Sequence, residues 1–148
     1  MLYMHVFEAE RWPMGNPETG YLNTDGSPTK SVILTMRREG KDRTFWDWCF
    51  GKQVTEHLYD LGKDPDCVRN LMSNPEKAAV AASLKDELFA RLKKQGDPRM
   101  LGNGEVFDRY PYAHAQKDFH RRYTSGELKQ WITGWVNKSD FEKEPLTE

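Results

Sequence analysis

Cys49 and Cys67 carry thiols that could act as nucleophiles or metal ligands. Neither stands in a Cys-x-x-Cys pair or at a Cys/His spacing typical of a metal site. Two cysteines can form at most one disulfide. We therefore interpret both as ordinary structural thiols.

A second set of reactive side chains lies near the end of the chain and invites a metal or anion hypothesis. It comprises His114, His120, Arg121 and Arg122. Histidines without a carboxylate neighbour at ligand spacing are more often surface residues than metal ligands. The sequence therefore predicts no metal site and no cofactor held by this chain.

Composition limits the elements that could position these groups. The chain has 148 residues, enough for one compact unit, and its 22 basic residues nearly cancel its 23 acidic ones. No large net field would draw it to nucleic acid or to an anionic membrane. Apolar runs such as Val32 to Leu34 are too short to span a bilayer. We expect a soluble domain with neither nucleic acid nor membrane as partner.

The first third of the chain predicts a strand and two short helices. Leu2 to Phe7 is rich in β-formers, so it predicts a strand. The segment lacks the basic leader and the cleavage site of a secretion signal. Whether the gene product starts at Met1 stays open. A polar loop follows from Glu8 to Ser27. Ser27-Pro28 is a typical helix start, and this helix is expected to end before Gly40. Phe45 to Phe50 could be a helix or a strand, and we favour a helix.

The middle of the chain predicts a strand, a turn and a long helix. His57 to Leu61 has strand character, and Gly62 to Asp66 favours a turn. Asn74-Pro75 repeats the pattern of a cap followed by proline. Gly96 then ends an amphipathic helix of about five turns. Its apolar face is formed by Val80, Leu84, Leu88 and Leu92.

Weaker patterns follow from Arg99 onward. They predict a turn at 102–104, an extended segment around Tyr110, a helix over Lys117 to Tyr123, and a solvated, frayed end over Glu142 to Glu148.

One segment carries a family resemblance. Glu56 to Leu71 reads E-H-L-Y-D-L-G-K-D-P-D-C-V-R-N-L and is followed by Asn74-Pro75-Glu76 and the long helix. This resembles the C-terminal signature of sulfatases, which commonly reads E-L-Y-D-L-x-x-D-P-x-E-x-x-N-L. His57 replaces the usual leucine and Cys67 stands near a common acidic position, departures that leave the pattern intact.

The resemblance implies an α+β fold. A small antiparallel β-sheet is expected to pack against the long amphipathic helix, as in the sulfatase C-terminal subdomain of the alkaline-phosphatase-like superfamily. Within the signature, Leu58 and Leu61 should be buried on the sheet, and Tyr59 should span the strand surface. Asp64-Pro65 should turn the chain so that the helix covers the sheet. Asn70 is expected to cap backbone groups in the turn before the helix.

Further matches narrow the resemblance to one branch. They lie at Glu10 to Pro17, Ser27 to Lys30, Phe50 to Lys52 and Gly96 to Arg99. The combination is similar to the branch near heparan N-sulfatase, the N-sulfoglucosamine sulfohydrolase. We assign 1–110 to a sulfatase C-terminal subdomain, and 111–148 to a C-terminal extension that packs on the same domain or on a missing catalytic domain. Trp131 and Trp135 would share a helix face and are expected to be buried against that missing domain.

Sulfatase chemistry, as the resemblance implies, needs two groups. One is a formylglycine made from Cys or Ser in a C/S-x-P-S-R motif, and the other is a divalent metal, calcium in this family, held by Asp and Asn or His. Cys49 precedes Phe-Gly-Lys and Cys67 precedes Val-Arg-Asn, so neither is that nucleophile. No cluster resembles the metal site. We expect the chain to be inactive alone, with the N-terminal catalytic domain as its partner.

The resemblance leaves a substrate rim as a possible contribution. In the family, the loop after the strand matching Tyr3 to Phe7 lies toward the active site. An Arg beside a Trp suits a sulfated sugar, because guanidinium pairs with sulfate oxygens and indole stacks on a pyranose. Alternatively, Arg11 makes an ion pair and Trp12 caps the sheet. Near Glu10, the candidate substrate-binding residues are Arg11, Trp12, Asn16 and Lys30.

Three hypotheses stay open from the sequence. The first is the C-terminal portion of a sulfatase, a hydrolase of sulfuric esters or sulfamates that acts on sulfated glycans such as heparan sulfate. The second is a free-standing module that binds sulfated carbohydrate or another partner, and the third is a truncated reading frame with no activity. Sulfatases of this kind are usually periplasmic, secreted or lysosomal, so a targeting signal would lie in the missing part.

Overall fold

Residues 1–111, 117–129 and 134–146 are described in a computed structural model of the chain. The chain forms two compact units, each built from two segments that are distant in sequence. The first unit comprises Met1–Phe7 and Val54–His114, and the second comprises Glu8–Gln53 and Ala115–Glu148. The assignment of 1–110 to a subdomain and 111–148 to an extension stays a prediction.

The first unit contains a two-stranded antiparallel sheet. Strand β1 (Leu2–His5) pairs with β2 (Glu56–Tyr59), so that Leu2 lies opposite Tyr59 and His5 opposite Glu56. One hydrogen bond beyond the ladder, from Val6 N to Thr55 O at 2.8 Å, continues the pairing. Both expected strands are confirmed, and both end earlier than the sequence pattern indicated.

The early end of β2 corrects one prediction. Leu58 is fully buried and Tyr59 is 9% exposed, but Leu61, expected to be buried on the sheet, is 46% exposed. The carbonyl of Asp60 accepts hydrogen bonds from the N–H groups of Lys63 and Asp64, at 2.9 and 2.8 Å. The chain therefore turns directly after Tyr59, and Leu61 lies in the turn rather than on the strand.

Helix α3 (Ala78–Lys94) packs against β1. A 3₁₀ turn over Pro75–Lys77 precedes it, and the Asn74 side chain accepts a hydrogen bond from Glu76 N at 3.0 Å, as the cap pattern predicted. The helix ends before Gly96, whose φ of +74° is the left-handed conformation that glycine adopts most easily. The mixed fold, with a small antiparallel sheet and a long helix, is therefore confirmed. The apolar face of the helix is half-buried at Val80, Leu84, Leu88 and Leu92.

Short 3₁₀ helices complete the first unit. They span Pro98–Leu101 and Gly104–Arg109. The Asp97 side chain accepts a hydrogen bond from Arg99 N at 2.9 Å, which fixes the start of the first of them. The Arg99 guanidinium lies over the Phe7 ring, 4.5 Å from its centre, and so connects this segment to the end of the β1 segment.

The second unit is helical and has its own aromatic core. Helix α1 spans Pro28–Arg38, α2 spans Thr44–Cys49 and α4 spans Phe119–Thr124, and all three agree with the sequence patterns. Ser27 Oγ accepts a hydrogen bond from Lys30 N at 3.2 Å and caps α1. Shorter 3₁₀ turns lie at Pro17–Thr19 and Lys138–Asp140. The core is formed by Tyr21, Leu34, Trp46 and Phe50, with Trp12, Ile33 and Leu146 packed against it.

The structure also shows the state of the two cysteines and the character of the helices. Cys49 is exposed, Cys67 is half-buried, and both are free thiols. Within the ranges that the structure describes, no helix combines the length and the apolar character needed to cross a membrane.

Candidate functional site

Arg11 lies at the surface in the loop after the β1 segment. Its Nε is 3.2 Å from Glu8 Oε2, and both side chains are more than half exposed. The backbone N–H of Arg11 also donates to Glu8 O at 3.0 Å, which closes a tight turn. The ion pair agrees with the alternative interpretation of Arg11. An exposed pair of this kind is weak and leaves the guanidinium able to exchange partners.

Trp12 lies between the surface and the core of the second unit. Its ring meets Trp46 edge to face with centres 6.2 Å apart, and the Lys52 ammonium lies 5.0 Å from the centre of the Trp12 ring. The half-buried indole is therefore held rigidly by aromatic packing and by a cation. Lys52 therefore places a positive charge beside this ring.

Asn16 acts through its backbone in this structure. Its carbonyl accepts hydrogen bonds from Thr19 N and Tyr21 N, both at 3.1 Å, and from Thr19 Oγ1 at 2.8 Å. The turn then needs Gly20, whose φ is +78° and where an added Cβ would lie 3.1 Å from the Phe141 ring. Asn16 therefore shapes the loop that follows Trp12.

Lys30 points into the interior of the second unit and is 2% exposed. Its ammonium donates to the carbonyls of Gly20 at 2.8 Å and Thr24 at 2.6 Å, and lies 3.3 Å from Asp140 Oδ2. Burial lowers the pKa of Lys30, and the Asp140 carboxylate opposes that shift. Of the candidate rim residues, Arg11 is therefore exposed at the surface, whereas the Lys30 ammonium is buried and binds carbonyl groups of the loop.

The sequence analysis missed the acidic partners in the tail. Glu142, expected in a solvated end, is 9% exposed. Its Oε1 accepts a hydrogen bond from the Tyr21 hydroxyl at 3.0 Å and ion-pairs with Arg37 at 2.9 Å and Arg38 at 3.0 Å. The expectation of a frayed end is therefore wrong at Glu142, because three donors from distant parts of the chain converge on its carboxylate.

A local pattern could have located part of this tail. Asn137 and Asp140 form a capping box, in which Asn137 N donates to Asp140 Oδ2 at 2.9 Å. That spacing predicts a turn. It does not reveal Lys30, which lies more than a hundred residues earlier.

Glu56, the first residue of the signature, connects three elements of the first unit. It accepts a hydrogen bond from the Tyr3 hydroxyl at 2.5 Å and pairs with the Lys85 ammonium at 2.9 Å, so it joins β1, β2 and α3. These contacts lower the pKa of Glu56, the bond from Tyr3 contributing most. Burial and the same carboxylate raise the pKa of Tyr3. Burial lowers the pKa of His5, whose ring packs against Phe89 with centres 5.0 Å apart.

Two other signature residues fix the chain between β2 and α3. The Asn70 side chain accepts from Leu58 N at 3.0 Å and Met72 N at 3.1 Å, and donates to Glu56 O at 3.1 Å. The expected backbone cap at Asn70 is confirmed. Asp64 likewise accepts from the N–H groups that follow its turn, Val68 N at 3.2 Å and Arg69 N at 2.8 Å.

The arginines near the end of the chain form ion pairs, Arg121 with Asp118 at 3.6 Å and Arg122 with Glu127 at 2.6 Å. His120 Nε2 lies 3.9 Å from Glu18 Oε2. Among the described residues, no group of three His, Cys, Asp or Glu side chains is arranged to hold a metal ion.

Two predictions for the tail fall outside the described residues. His114 and Trp131 both lie there, so the expected surface position of the first and the shared helix face of the second stay predictions. Trp135 is described, and its indole N–H donates to Leu22 O at 3.0 Å.

Comparison with curated proteins finds a sulfatase. An ulvan-active sulfatase from Formosa agariphila is 30% identical over 98 residues, which represent 63% of this chain and 16% of that protein. The chain therefore spans about a sixth of the length of this relative. No family model matches the chain. No solved structure matches it either. The match supports a sulfatase relationship.

Proposed function

We propose that this chain is the C-terminal portion of a sulfatase that acts on sulfated glycans, and that it does not catalyse sulfate hydrolysis alone. The observation that carries the proposal is the match to a much longer sulfatase over 63% of this chain. The signature geometry supports it, because Glu56, Asp64 and Asn70 bind backbone and neighbouring elements rather than presenting free polar groups to a substrate.

The residues present do not fit the formylglycine and calcium of sulfatases. Neither Cys49 nor Cys67 begins a C-x-P-S-R motif. The buried carboxylates of the second unit, Asp140 and Glu142, already bind Lys30 and two arginines. In this proposal the nucleophile and the metal belong to an N-terminal catalytic domain of the alkaline-phosphatase-like superfamily, the partner of this chain.

The substrate class rests on two likenesses. The relative is an ulvan-active sulfatase, and the motifs around Trp12 and Lys30 resemble the heparan N-sulfatase-like branch. We infer a sulfated glycan, either a sulfate ester or a sulfamate. Arg11 would pair with a sulfate group and the rigid Trp12 would contact the sugar, while Asn16 and Lys30 hold the loop. A parent of this kind would work outside the cytoplasm, in a periplasmic, secreted or lysosomal setting.

A second function is favoured by one observation. Lys52 lies over the packed Trp12 ring, and the exposed Arg11 is its neighbour in sequence, an arrangement that needs no catalytic centre. Such a surface could serve a free-standing module that binds sulfated glycan. Both functions use the candidate glycan-binding rim at Arg11 and Trp12. They differ in whether a catalytic domain belongs to the same protein.

Calorimetry with heparan-derived oligosaccharides tests the rim. Binding by the purified chain should weaken at least about fivefold in Arg11→Ala and Trp12→Ala, because a charge-assisted bond or a sugar stack is lost. Arg91→Ala is the matched control, since Arg91 forms an exposed ion pair on α3, 2.5 Å from Glu87. No binding by a folded chain would remove the module alternative and leave a structural subdomain.

The reading frame upstream of Met1 tests whether this chain belongs to a longer sulfatase. An in-frame C-x-P-S-R or S-x-P-S-R motif would support a longer sulfatase. An upstream frame that encodes no such motif would contradict the proposal and favour the module or a truncated frame.

A further inference from the structure

A cavity of about 380 Å³ opens on the second unit beside the aromatic core. It lies where the end of α1, the start of α2 and the tail meet. Three of its lining side chains are cationic and none is acidic. The lining residues are Arg37, Gly40, Lys41, Arg43, Trp46, Pro145 and Leu146.

Two of the cations share one aromatic ring. The guanidinium carbons of Arg37 and Arg43 lie 5.0 and 5.4 Å from the centre of the Trp46 ring. Trp46 is 1% exposed and belongs to the core, so it cannot move away. The ring therefore holds two positive groups at fixed positions beside the cavity.

The cations differ in how firmly they are bound. Arg37 is anchored by Glu142, and only 19% of its side chain is exposed. The Glu142 carboxylate and the Trp46 ring together therefore fix the position of this guanidinium beside the cavity.

Lys41 and Arg43 each form an exposed ion pair, and the two pairs differ in geometry. Lys41 lies 2.7 Å from Glu39, and a single exposed contact of this kind contributes little to stability, so a multiply charged ligand can compete with Glu39. Arg43 binds Asp47 through both Nε and Nη2, and this bidentate pair positions its guanidinium beside the cavity. The cavity therefore combines two positioned guanidinium groups with one exchangeable ammonium.

We propose that this cavity binds a sulfate group of a sulfated glycan, at a subsite distinct from the Arg11 rim and without a role in bond cleavage. The inference rests on the proposed function for its ligand class. Guanidinium groups bind the oxygens of a tetrahedral oxyanion through charge-assisted hydrogen bonds. Pro145 and Leu146 supply the apolar wall that a sugar ring would contact.

Calorimetric titration of the purified chain tests the subsite with three probes. These are a heparan-derived tetrasaccharide, the same tetrasaccharide after chemical desulfation, and inorganic sulfate. The sulfated probe should bind, its affinity should fall with added salt, and the desulfated probe should bind at least about tenfold more weakly. Arg43→Gln and Lys41→Gln should each lower the affinity for the sulfated probe by about fivefold.

The control is Arg91→Gln, which removes a cation from another exposed ion pair of the same i,i+4 spacing as Arg43 and Asp47. It should leave the affinity unchanged. Thermal unfolding of each variant separates lost binding from lost structure. Arg37 is left intact because its pair with Glu142 supports the fold.

The outcomes separate the sources of the ligand. Tighter binding of the tetrasaccharide than of inorganic sulfate, with both weakened by Arg43→Gln, supports a glycan subsite. Binding of inorganic sulfate alone would overturn the glycan ligand and leave a site for the free anion. Unchanged affinities in folded Arg43→Gln and Lys41→Gln would overturn the site altogether. A longer protein without sulfatase activity would contradict the proposed function while leaving these affinities as measured.

Discussion

The two units of the molecule are stabilised in different ways. In the first, the signature pairs with the distant β1, its side chains cap its own backbone, and Glu56 connects it to α3. In the second, buried charges connect α1 and the preceding loop to the tail, as between Lys30 and Asp140. The first unit thus depends on backbone pairing and backbone caps around a small sheet, and the second on buried ionic contacts around an aromatic core.

This difference indicates which substitutions should destabilise each unit most. A buried charge that loses its partner is far more costly than a lost surface pair. The second unit concentrates such charges at the tail, with Asp140 fully buried and Glu142 nearly so. The first unit distributes its polar contacts over several bonds of moderate strength.

Removal of Asp140 should have the largest effect. Asp140→Ala leaves the Lys30 ammonium buried without its carboxylate and should cost about 3–5 kcal/mol of unfolding free energy. Tryptophan fluorescence during urea unfolding is a direct readout, because all five tryptophans lie in segments of the second unit. Glu39→Ala, which breaks an exposed pair with Lys41 in the same unit, should cost under about 1 kcal/mol. A similar small loss in both variants would contradict an ionic anchor.

Two leucines of the signature sharpen the description of the sheet. Leu58→Ala should cost about 2–5 kcal/mol because it empties a fully buried position. Leu61→Ala should stay within about 0.5 kcal/mol because Leu61 lies in an exposed turn. Circular dichroism during urea unfolding measures both. Equal losses would restore the original expectation that Leu61 is buried on the sheet.

Loss of the Asn70 amide should have an intermediate effect. Asn70→Ala removes three hydrogen bonds and leaves backbone groups near β2 unpaired, at a cost of about 1–3 kcal/mol. Asn74→Ala removes one cap and should cost about 1 kcal/mol. Hydrogen exchange at Leu58 N should rise in Asn70→Ala and stay unchanged in Asn74→Ala. Unchanged protection in both would refute the role of Asn70.

The smallest effect concerns the titration of His5 in the first unit. Its folded pKa is lowered by burial below the ordinary value of 6.5, with Glu56 opposing that shift and Lys85 adding to it. The unfolded chain therefore binds a proton first as the pH falls. The stability from this group is present above about pH 6.5 and is lost as the pH falls through the folded pKa.

A matched variant isolates this contribution. His5→Phe keeps the ring that packs against Phe7 and Phe89 and removes the titration. Unfolding free energies between pH 7.5 and 5 should fall more steeply in the parent chain than in the variant. Parallel curves would show that His5 does not contribute.

The helix ends and the backbone caps of the first unit could be predicted from the sequence because their determinants are local. Asn74-Pro75 and Gly96 mark the ends of the long helix through capping chemistry, and the Asn70 side chain reaches only nearby backbone groups. The end of β2 was placed too late because the turn begins at Asp60, whose side chain accepts a hydrogen bond from Gly62 N at 3.2 Å, and the prediction started the turn only at Gly62.

The second unit was less predictable for a physical reason. Ser27-Pro28 located α1, but the partners of Lys30 and Arg37 lie in the tail, far along the chain. A single acidic residue near a terminus has the same appearance in sequence whether solvated or buried. The candidate rim was proposed because an Arg beside a Trp suits a sulfated sugar, at Arg11 and Trp12. The basic cavity could not be predicted, because folding brings its residues together from separate segments.

Sulfate release is the most direct test of the proposed function. The purified chain would be incubated with calcium and heparan-derived oligosaccharides, in parallel with the longer protein that the proposed function requires. We predict no sulfate release by this chain alone, and release by the longer protein that ceases when its formylglycine precursor is replaced. Turnover by the 148-residue chain would contradict the assignment of catalysis to a separate domain.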